Sequence, residues 1–490
     1  MSGPLPKPSA TAVRVAGDRY QWLHVWRACL RVLRDQAIHG GCSNPAVGVG
    51  VEVDGVGNVD DVVLYRQHPP HTYSQVKWTA NAQSPVGTDY LTQATRDGGT
   101  SLLAKLADAY KRLSANGDPA DLVLQTNRNI DPKSVLLTGI DPRTQLLMPN
   151  AELQGPNSLR GRERREWAAG ANVSEPELLD LLTVLRFDTG QGLNILLDNV
   201  ANLMTATGLR DDPTAVLLAT GWVEAQVING SRHIGADAIQ AAVAELGLAA
   251  GRSWSMLSVA TLKPDPLGDQ AIHAIDWVDR FEGDDPYMRR RPKAPATWVE
   301  LGDEIAAIPD HVAGIDAVLV TGSLRLAPGF AVGAALRRVT NIDVAWKQGP
   351  QLWSSDSHYD EPLRPAVTNH HLGQGDDVAI VVDIAATASA DVFTWLQDNE
   401  TPVRELIALA PPSGAPKDNA IADSSVAVAL AVGIRDEARR VAAGVERIHL
   451  FMAAPLGLAL LIGHRWNRVG LTYVYEDVKY GYELAFAVSA

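Results

Sequence analysis

Residues 47–78, VGVGVEVDGVGNVDDVVLYRQHPPHTYSQVKW, decide how this chain is read. Val47, Val49, Val51 and Val53 alternate with Gly48, Gly50 and Glu52, the period-two pattern of a strand, and Asp54-Gly55 then makes a turn. Residues 62–65 and 72–78 are the next two strands, so the stretch predicts a three-stranded meander. Residues two apart on a strand share a face: Gln75 and Lys77 project together while Val76 goes to the core. Asp60-Asp61, opening the second strand, arrives beside them if the strands pair as neighbours. Carboxylate and amide oxygens with one ammonium alongside suit Mg2+ (or Mn2+), a hard cation that keeps several waters. In that arrangement Asp61 or Asp60 and Gln75 hold the metal, with Glu52 on the preceding strand. Lys77 orients or deprotonates the attacking water, and the reaction class is metal-assisted phosphodiester hydrolysis. Read by itself, the same pattern also describes a sheet edge with a solvated lysine and an Asp-Asp turn.

Working outward, Trp22, Val25, Trp26, Cys29, Leu30 and Leu33 recur at helical spacing after Gly17-Asp18, which predicts a helix over 20–36. Residues 104–113 read as a helix and 121–125 as a strand entering Thr126-Asn127-Arg128. Alternating elements make an α/β unit over 13–155. Over 155–280 strand signals fade, and 177–185, 192–207 and 239–248 carry helical spacing, which predicts a helical connecting region over 156–295. It holds Arg160, Arg162, Arg164 and Arg165, which with Arg128 are candidate DNA-phosphate contacts; interleaving with Glu163 and Glu166 equally describes a solvated helix face. A Gly-, Asp-, Pro- and Arg-rich stretch over 282–295 reads as a linker.

A second α/β domain, doubly wound and Rossmann-like, is expected over 296–490. Apolar runs at 317–321, 378–384, 448–453 and 471–475 alternate with helical segments. The first runs through Ser323-Leu324-Arg325 toward a helix at 330–338. The second leads to Ser389, an expected N-cap, and the third through Ala454 to Pro455 before 456–463. Each junction presents unpaired amides and a positive dipole end at the carboxyl edge of a sheet, where open α/β folds bind phosphate-bearing ligands. Arg325 is positioned to pair a phosphate, and Trp353 or Tyr359 to stack on a base.

Whole-chain properties restrict these readings. The 490 residues carry 43 Lys and Arg against 57 Asp and Glu, a net charge of −14, so constitutive wrapping of nucleic acid is excluded and any phosphate contact needs a local basic patch. Two cysteines, Cys29 and Cys42, make no disulfide framework and fit a reducing compartment. The first twelve residues lack the apolar core of a secretory signal, and the most apolar run, 450–463, is too short to span a bilayer and is broken by Pro455. A cytoplasmic protein is expected. His68 and His71 flanking Pro69-Pro70, and His370-His371, read as solvated loop histidines rather than metal ligands.

Two resemblances sharpen the expectation. Gly17-Asp18-Arg19-Tyr20-Gln21, the Glu52 strand, Asp60-Asp61 and Gln75-Val76-Lys77-Trp78 together resemble the restriction-endonuclease-like superfamily, whose mixed-sheet fold carries an Asp and a Glu-or-Gln-x-Lys pair. Gln75 replaces the usual Glu, so one negative charge is missing from the metal site that the resemblance implies, and Glu52 or Gln21 is expected to supply the oxygen. Residues 322–326, the Gly333 helix, Trp353-Ser354-Ser355-Asp356, the stretch from His449 through Pro455 to Gly463, and 473–482 resemble the SAVED domain, a cyclic-oligonucleotide sensor of CBASS anti-phage systems similar to two fused CRISPR-associated Rossmann-like halves. The combination resembles the effector endonucleases associated with CD-NTase enzymes. That resemblance implies a cyclic di- or trinucleotide ligand, self-association on binding, and degradation of double-stranded DNA by a metal-dependent endonuclease. The alternative is a non-cleaving assembly or DNA-binding module with a degenerate nuclease domain.

Overall fold

The meander forms as its alternation requires. In the computed structural model, which describes residues 9–37, 43–94, 99–115, 117, 119–147, 155–373 and 375–489, β1 (Ala46–Val51), β2 (Val62–Arg66) and β3 (His71–Lys77) pair antiparallel in sequence. Cys42 lies outside the described residues. A long α1 (Ala10–Ala37) precedes them, and α2 (Thr88–Thr92) and α3 (Leu102–Ala115) lead to β4 (Ala120–Thr126). Then follow α4 (Leu159–Ala171), α5 (Glu175–Leu182), β5 (Leu185–Asp188), α6 (Leu193–Ala206), α7 (Pro213–Ile228), β6 (His233–Gly235) and α8 (Ala236–Glu245). The sheet order is β5-β4-β3-β2-β1-β6, with β3, β4 and β5 parallel. One face, carrying Tyr73, Leu122, Leu124 and Phe187, is covered by α3, α4 and α5 around Leu103, Trp167 and Leu181. The other lies against α1, whose Arg27 reaches Asp188 at 3.7 Å.

Two expectations change here. The first helix does not start at Gly17-Asp18 but runs through them from Ala10, where the Ser9 hydroxyl accepts the Ala12 amide. The connecting region expected over 156–295 does not stand apart. The chain divides at 253/254, because β5 and β6 complete the first sheet while β7 (Ser255–Ala260) and β8 (His273–Asp276) belong to the next. Strand β7 is buried on both faces from Met256 to Ala260, so it shows no alternation to read.

The second unit continues with α9 (Trp298–Ala306), α10 (Ile308–His311), β9 (Ala317–Ser323), α11 (Leu326–Ala335), β10 (Asp343–Gln348), β11 (Gln351–Ser354) and β12 (Ala366–His371). Next come β13 (Asp377–Asp383), α12 (Ser389–Asp398), β14 (Val403–Ala410), α13 (Ser424–Ala442), β15 (Ile448–Ala453), α14 (Leu456–Arg465), β16 (Thr472–Asp477) and β17 (Tyr482–Val488). They make two open sheets with parallel centres: β11-β10-β9-β7-β8, antiparallel only at β11, and β12-β14-β13-β15-β16-β17, antiparallel at both edges. In the first, the chain leaves β7 toward β8 and leaves β9 toward β10, in opposite directions. In the second, β13 and β15 part in the same way. Each sheet therefore has a topological switch point at the carboxyl ends of its central strands.

Helices α11 and α14 join the two sheets into one core. A Cβ on Gly333 would stand 2.1 Å from the Leu460 carbonyl oxygen, and one on Gly463 would stand 2.0 Å from that of Phe330. Glycine is the only residue that admits such backbone contact. Gly329 near the start of α11 faces Leu456 at the start of α14, so the two helices run in the same direction and open toward the same end.

Candidate functional site

Register assembles the first cluster. Val62 pairs with Ser74, which places Asp61, one residue earlier, beside Gln75, one residue later. The Asp61 carboxylate accepts the Val76 amide at 2.7 Å and the Gln75 side-chain amide, and Lys77 Nζ lies 4.0 Å from the same oxygen. Gln75 is 4% exposed, whereas the Lys77 side chain is 43% exposed. Burial holds the Asp61 carboxyl above the ordinary carboxylate range, opposed by the Lys77 charge and the Val76 amide; neighbouring Asp60 adds to the rise. The cluster is thus dry at its floor and open on the lysine side.

The remaining predicted members divide. Glu52 is drawn alongside Asp61, since Val51 pairs with Val62 and the Val53 amide bonds the Asp60 carbonyl. Its φ of +47° lies in the left-handed region, and its carboxylate is taken by Arg232 at 2.8 Å. Gln21 is not joined to the cluster. It sits on α1, against the sheet face opposite Gln75, with its buried Nε2 lacking a hydrogen-bond partner. Among the described residues no group of three or more His, Cys, Asp or Glu is placed to hold a metal ion. At this position Asp61 presents a carboxylate and Gln75 a side-chain amide.

Of the arginines, Arg164 is 5% exposed and bonded to Glu175 at 2.8 Å, so it is a structural ion pair rather than a DNA contact. The α4 face carrying Arg164 packs inward with Glu163 and Trp167, which the Glu-Arg interleaving conceals. Arg162 is exposed, Arg160 is half-buried, and exposed Arg165 donates to the Pro156 carbonyl. Arg128 lies over the Tyr90 ring and donates to the Ser84 carbonyl.

In the second unit, the helix N-termini at the switch points are occupied by the protein's own side chains. At α12, Asp383 accepts the Ala388 amide at 2.8 Å and the Ser389 amide at 3.4 Å. Ser389 is therefore the first helical residue beside an acid, not a free N-cap. At α14, Pro455 is the N-cap after half-buried Ala453 and buried Ala454, and the Gly457 amide donates to the Gln348 side chain at 3.2 Å. At α11, Glu476 accepts the Ala327 amide at 2.8 Å. Trp353 is 3% exposed within the core and Tyr359 packs against the same core, so Trp353 is not available for stacking on a base.

One cleft opens at the β7/β9 switch point. It encloses about 360 Å3 and is lined by Leu262, Lys263, Pro286, Tyr287, Arg290, Ser323 and Arg325. Gly322, at φ +106°, brings the loop after β9 against the Val259 carbonyl and so turns Ser323 and Arg325 toward it. Of the residues expected to meet a ligand, the structure places Ser323 and Arg325 here. Sequence reasoning missed Tyr287 and Arg290, because 282–295 reads as a linker, and Lys263, because it follows the unread strand β7; the readable signal for the first two was the Arg289–Arg291 run following an aromatic.

Comparison with known proteins places similarity in this unit and along the chain. Residues 303–488 match the SAVED family. Its description is "SMODS-associated and fused to various effectors sensor domain". The SAVED match begins after Lys263, Tyr287 and Arg290, so the family's region supplies only part of the cleft. Over 94% of the chain and 95% of the relative, the sequence is 22% identical to CD-NTase-associated protein 4 of Enterobacter hormaechei subsp. hoffmannii (strain UCI 50). Among solved structures, the Acinetobacter baumannii Cap4 SAVED/CARF-domain containing receptor with the cyclic trinucleotide 2'3'3'-cAAA aligns over 100% of both chains at 13% identity and a TM-score of 0.42. The Moraxella osloensis Cap4 SAVED/CARF-domain containing receptor aligns over 97% of this chain and 99% of that one at 14% identity and a TM-score of 0.39. No helix among the described residues is long and apolar enough to cross a membrane.

Proposed function

We propose that the chain is a cyclic-oligonucleotide-activated, Mg2+- or Mn2+-dependent double-stranded DNA endonuclease, a cytoplasmic effector of CBASS anti-phage immunity. The observation that carries the reading is the meeting of Asp61, Gln75 and Lys77 on neighbouring strands of a chain whose other unit matches a sensor family. In this reading the N-terminal unit is a restriction-endonuclease-like nuclease domain. Its donor set fits a divalent ion held by one carboxylate and one amide oxygen, with water and substrate phosphate filling the remaining positions. Such an ion, when bound, would neutralise charge on the scissile phosphate. Lys77, open to solvent, orients the attacking water and offsets the charge that builds on phosphorus. Asp61 keeps the carboxylate against the strand through the Val76 amide.

A cyclic di- or trinucleotide, made by a cognate CD-NTase, binds the sensor at the Ser323–Arg325 cleft and drives self-association. The acidic chain repels DNA as a monomer, and several heads held together gain avidity through Arg160, Arg162, Arg165 and Arg128. Plasmid incubated with the protein, Mg2+ and a panel of cyclic oligonucleotides tests the reading. One member should trigger degradation, and Lys77→Ala should abolish it while leaving oligonucleotide binding intact. Undiminished cleavage by that variant removes the mechanism.

One observation favours a second reading: with Gln75 in place of an acid and Glu52 bonded to Arg232, Asp61 is left as the single carboxylate hydrogen-bonded to Gln75. The chain would then be a cyclic-nucleotide-induced assembly or DNA-binding module with a degenerate nuclease domain. It predicts ligand-dependent oligomers and intact plasmid in the same experiment.

A further inference from the structure

The cleft wall hides an acid that the sensing role leaves unexplained. Glu476 on β16 is 4% exposed, and its carboxylate occupies the Ala327 amide at the N-terminus of α11, a position that suits an anion. It does not line the cleft, but it bonds the backbone two residues after Arg325, which does, and its charge interacts with that arginine. The charged groups around it are few. Arg325 faces it from the β9–α11 junction, Arg290 from the 283–291 segment, and Asp477 from its own strand. On β17 its register partner is Glu483, which is bonded to Arg291 at 2.6 Å. Among the described residues no arginine forms an ion pair with Glu476: the Arg325 Nε is spent on the Arg289 carbonyl at 2.9 Å, and Arg290 reaches Asp477 at 3.5 Å.

We infer that Glu476 sets the anion affinity of the cleft through Arg325. Ionised, it holds the α11 amide and opposes the Arg325 charge; neutral, it leaves that charge to an incoming phosphate group, so phosphate binding takes up a proton. Burial, partly offset by the Ala327 amide and then by Arg325, pushes the Glu476 carboxyl up to about 7, so both forms are populated near neutrality. A bound anion beside Arg325 disfavours the ionised form further, and binding weakens as pH rises through that value. If only the neutral form binds well, affinity falls about tenfold between pH 6 and pH 8.

The inference rests on the sensor reading of this cleft, and its test reads binding alone. Sulfate serves as the probe, because it stays a dianion across this range whereas phosphate titrates within it. Calorimetric titration of the full chain should give an affinity about tenfold weaker at pH 8 than at pH 6. Glu476→Gln should bind equally at both pH values, near the wild-type affinity at pH 6, and Arg325→Ala should lose the site. On the wild type alone, titrations in buffers of different ionisation enthalpy should report uptake of about half a proton per sulfate at pH 7, a readout independent of how well the Gln variant folds. An unchanged pH dependence in Glu476→Gln, zero proton uptake, or no saturable binding at either pH overturns the inference. Loss of plasmid degradation with these binding results intact would fall on the nuclease reading instead.

Discussion

Replacing Gly463 by Ala places a methyl group 2.0 Å from the Phe330 carbonyl oxygen and 2.9 Å from the Ala334 amide nitrogen, both backbone atoms of the facing helix. No rotamer relieves such a contact. To restore an ordinary separation near 3.5 Å, α11 and α14 must part by more than about 1 Å, opening gaps among Phe330, Leu460 and Trp466. Overpacking of this kind costs typically 1–3 kcal/mol. Taking about 2 kcal/mol for a body the size of the second unit, the melting temperature should fall by about 4–8 °C. Gly333→Ala should act alike, and the double variant should cost less than the sum, because the first substitution has already parted the helices. Gly221→Ala is the control: it lies within α7 with open space around it and should gain up to about 1 kcal/mol from helix propensity. Differential scanning fluorimetry and urea unfolding read all four. A Gly463→Ala protein melting within about 1 °C of wild type would refute the glycine-mediated contact.

Two further expectations concern buried charge. Glu163 accepts the Ser134 hydroxyl at 2.6 Å, the Thr88 hydroxyl at 2.8 Å and the Leu136 amide at 3.0 Å. Glu163→Ala strands these donors and should cost about 2–4 kcal/mol in urea unfolding; a loss below about 0.5 kcal/mol would contradict the network. His464 is fully buried on α14, and burial lowers its pKa to about 4, opposed by its bond to the Leu336 carbonyl. The unfolded chain therefore takes up a proton that the folded chain refuses, and stability falls as pH drops from about 6.5 toward 4, by up to about 3 kcal/mol. His464→Gln should flatten that acid limb, and an identical slope in the variant would argue against the assignment.

Much of the architecture is legible in particular residues. The meander follows from Val49, Val51 and the Gln75-Val76-Lys77 alternation, and β15 spans 448–453 as its apolar run indicates. The strand-to-helix junctions at Ser323, Ser389 and Pro455 are readable from small residues and prolines. Less legible are β7 and β8, which complete a sheet with β9 from the far side of a stretch that reads as a linker. Trp353 shows the limit of residue type as a guide: an aromatic suited to stacking on a base is instead a core residue.

What the sequence by itself determined is which side chains share a strand face and where chains of apolar residues give way to helix starts, since both follow from local periodicity. Partners were decided only by the tertiary structure. Glu52, alongside Asp61, is bonded to Arg232, Arg164 is paired with Glu175, and Glu476 claims an amide of α11 from across the unit. A charged side chain takes whichever opposite charge or backbone donor folding brings within reach. That choice is a matter of sheet register and helix packing between distant segments, and no spacing along the chain encodes it.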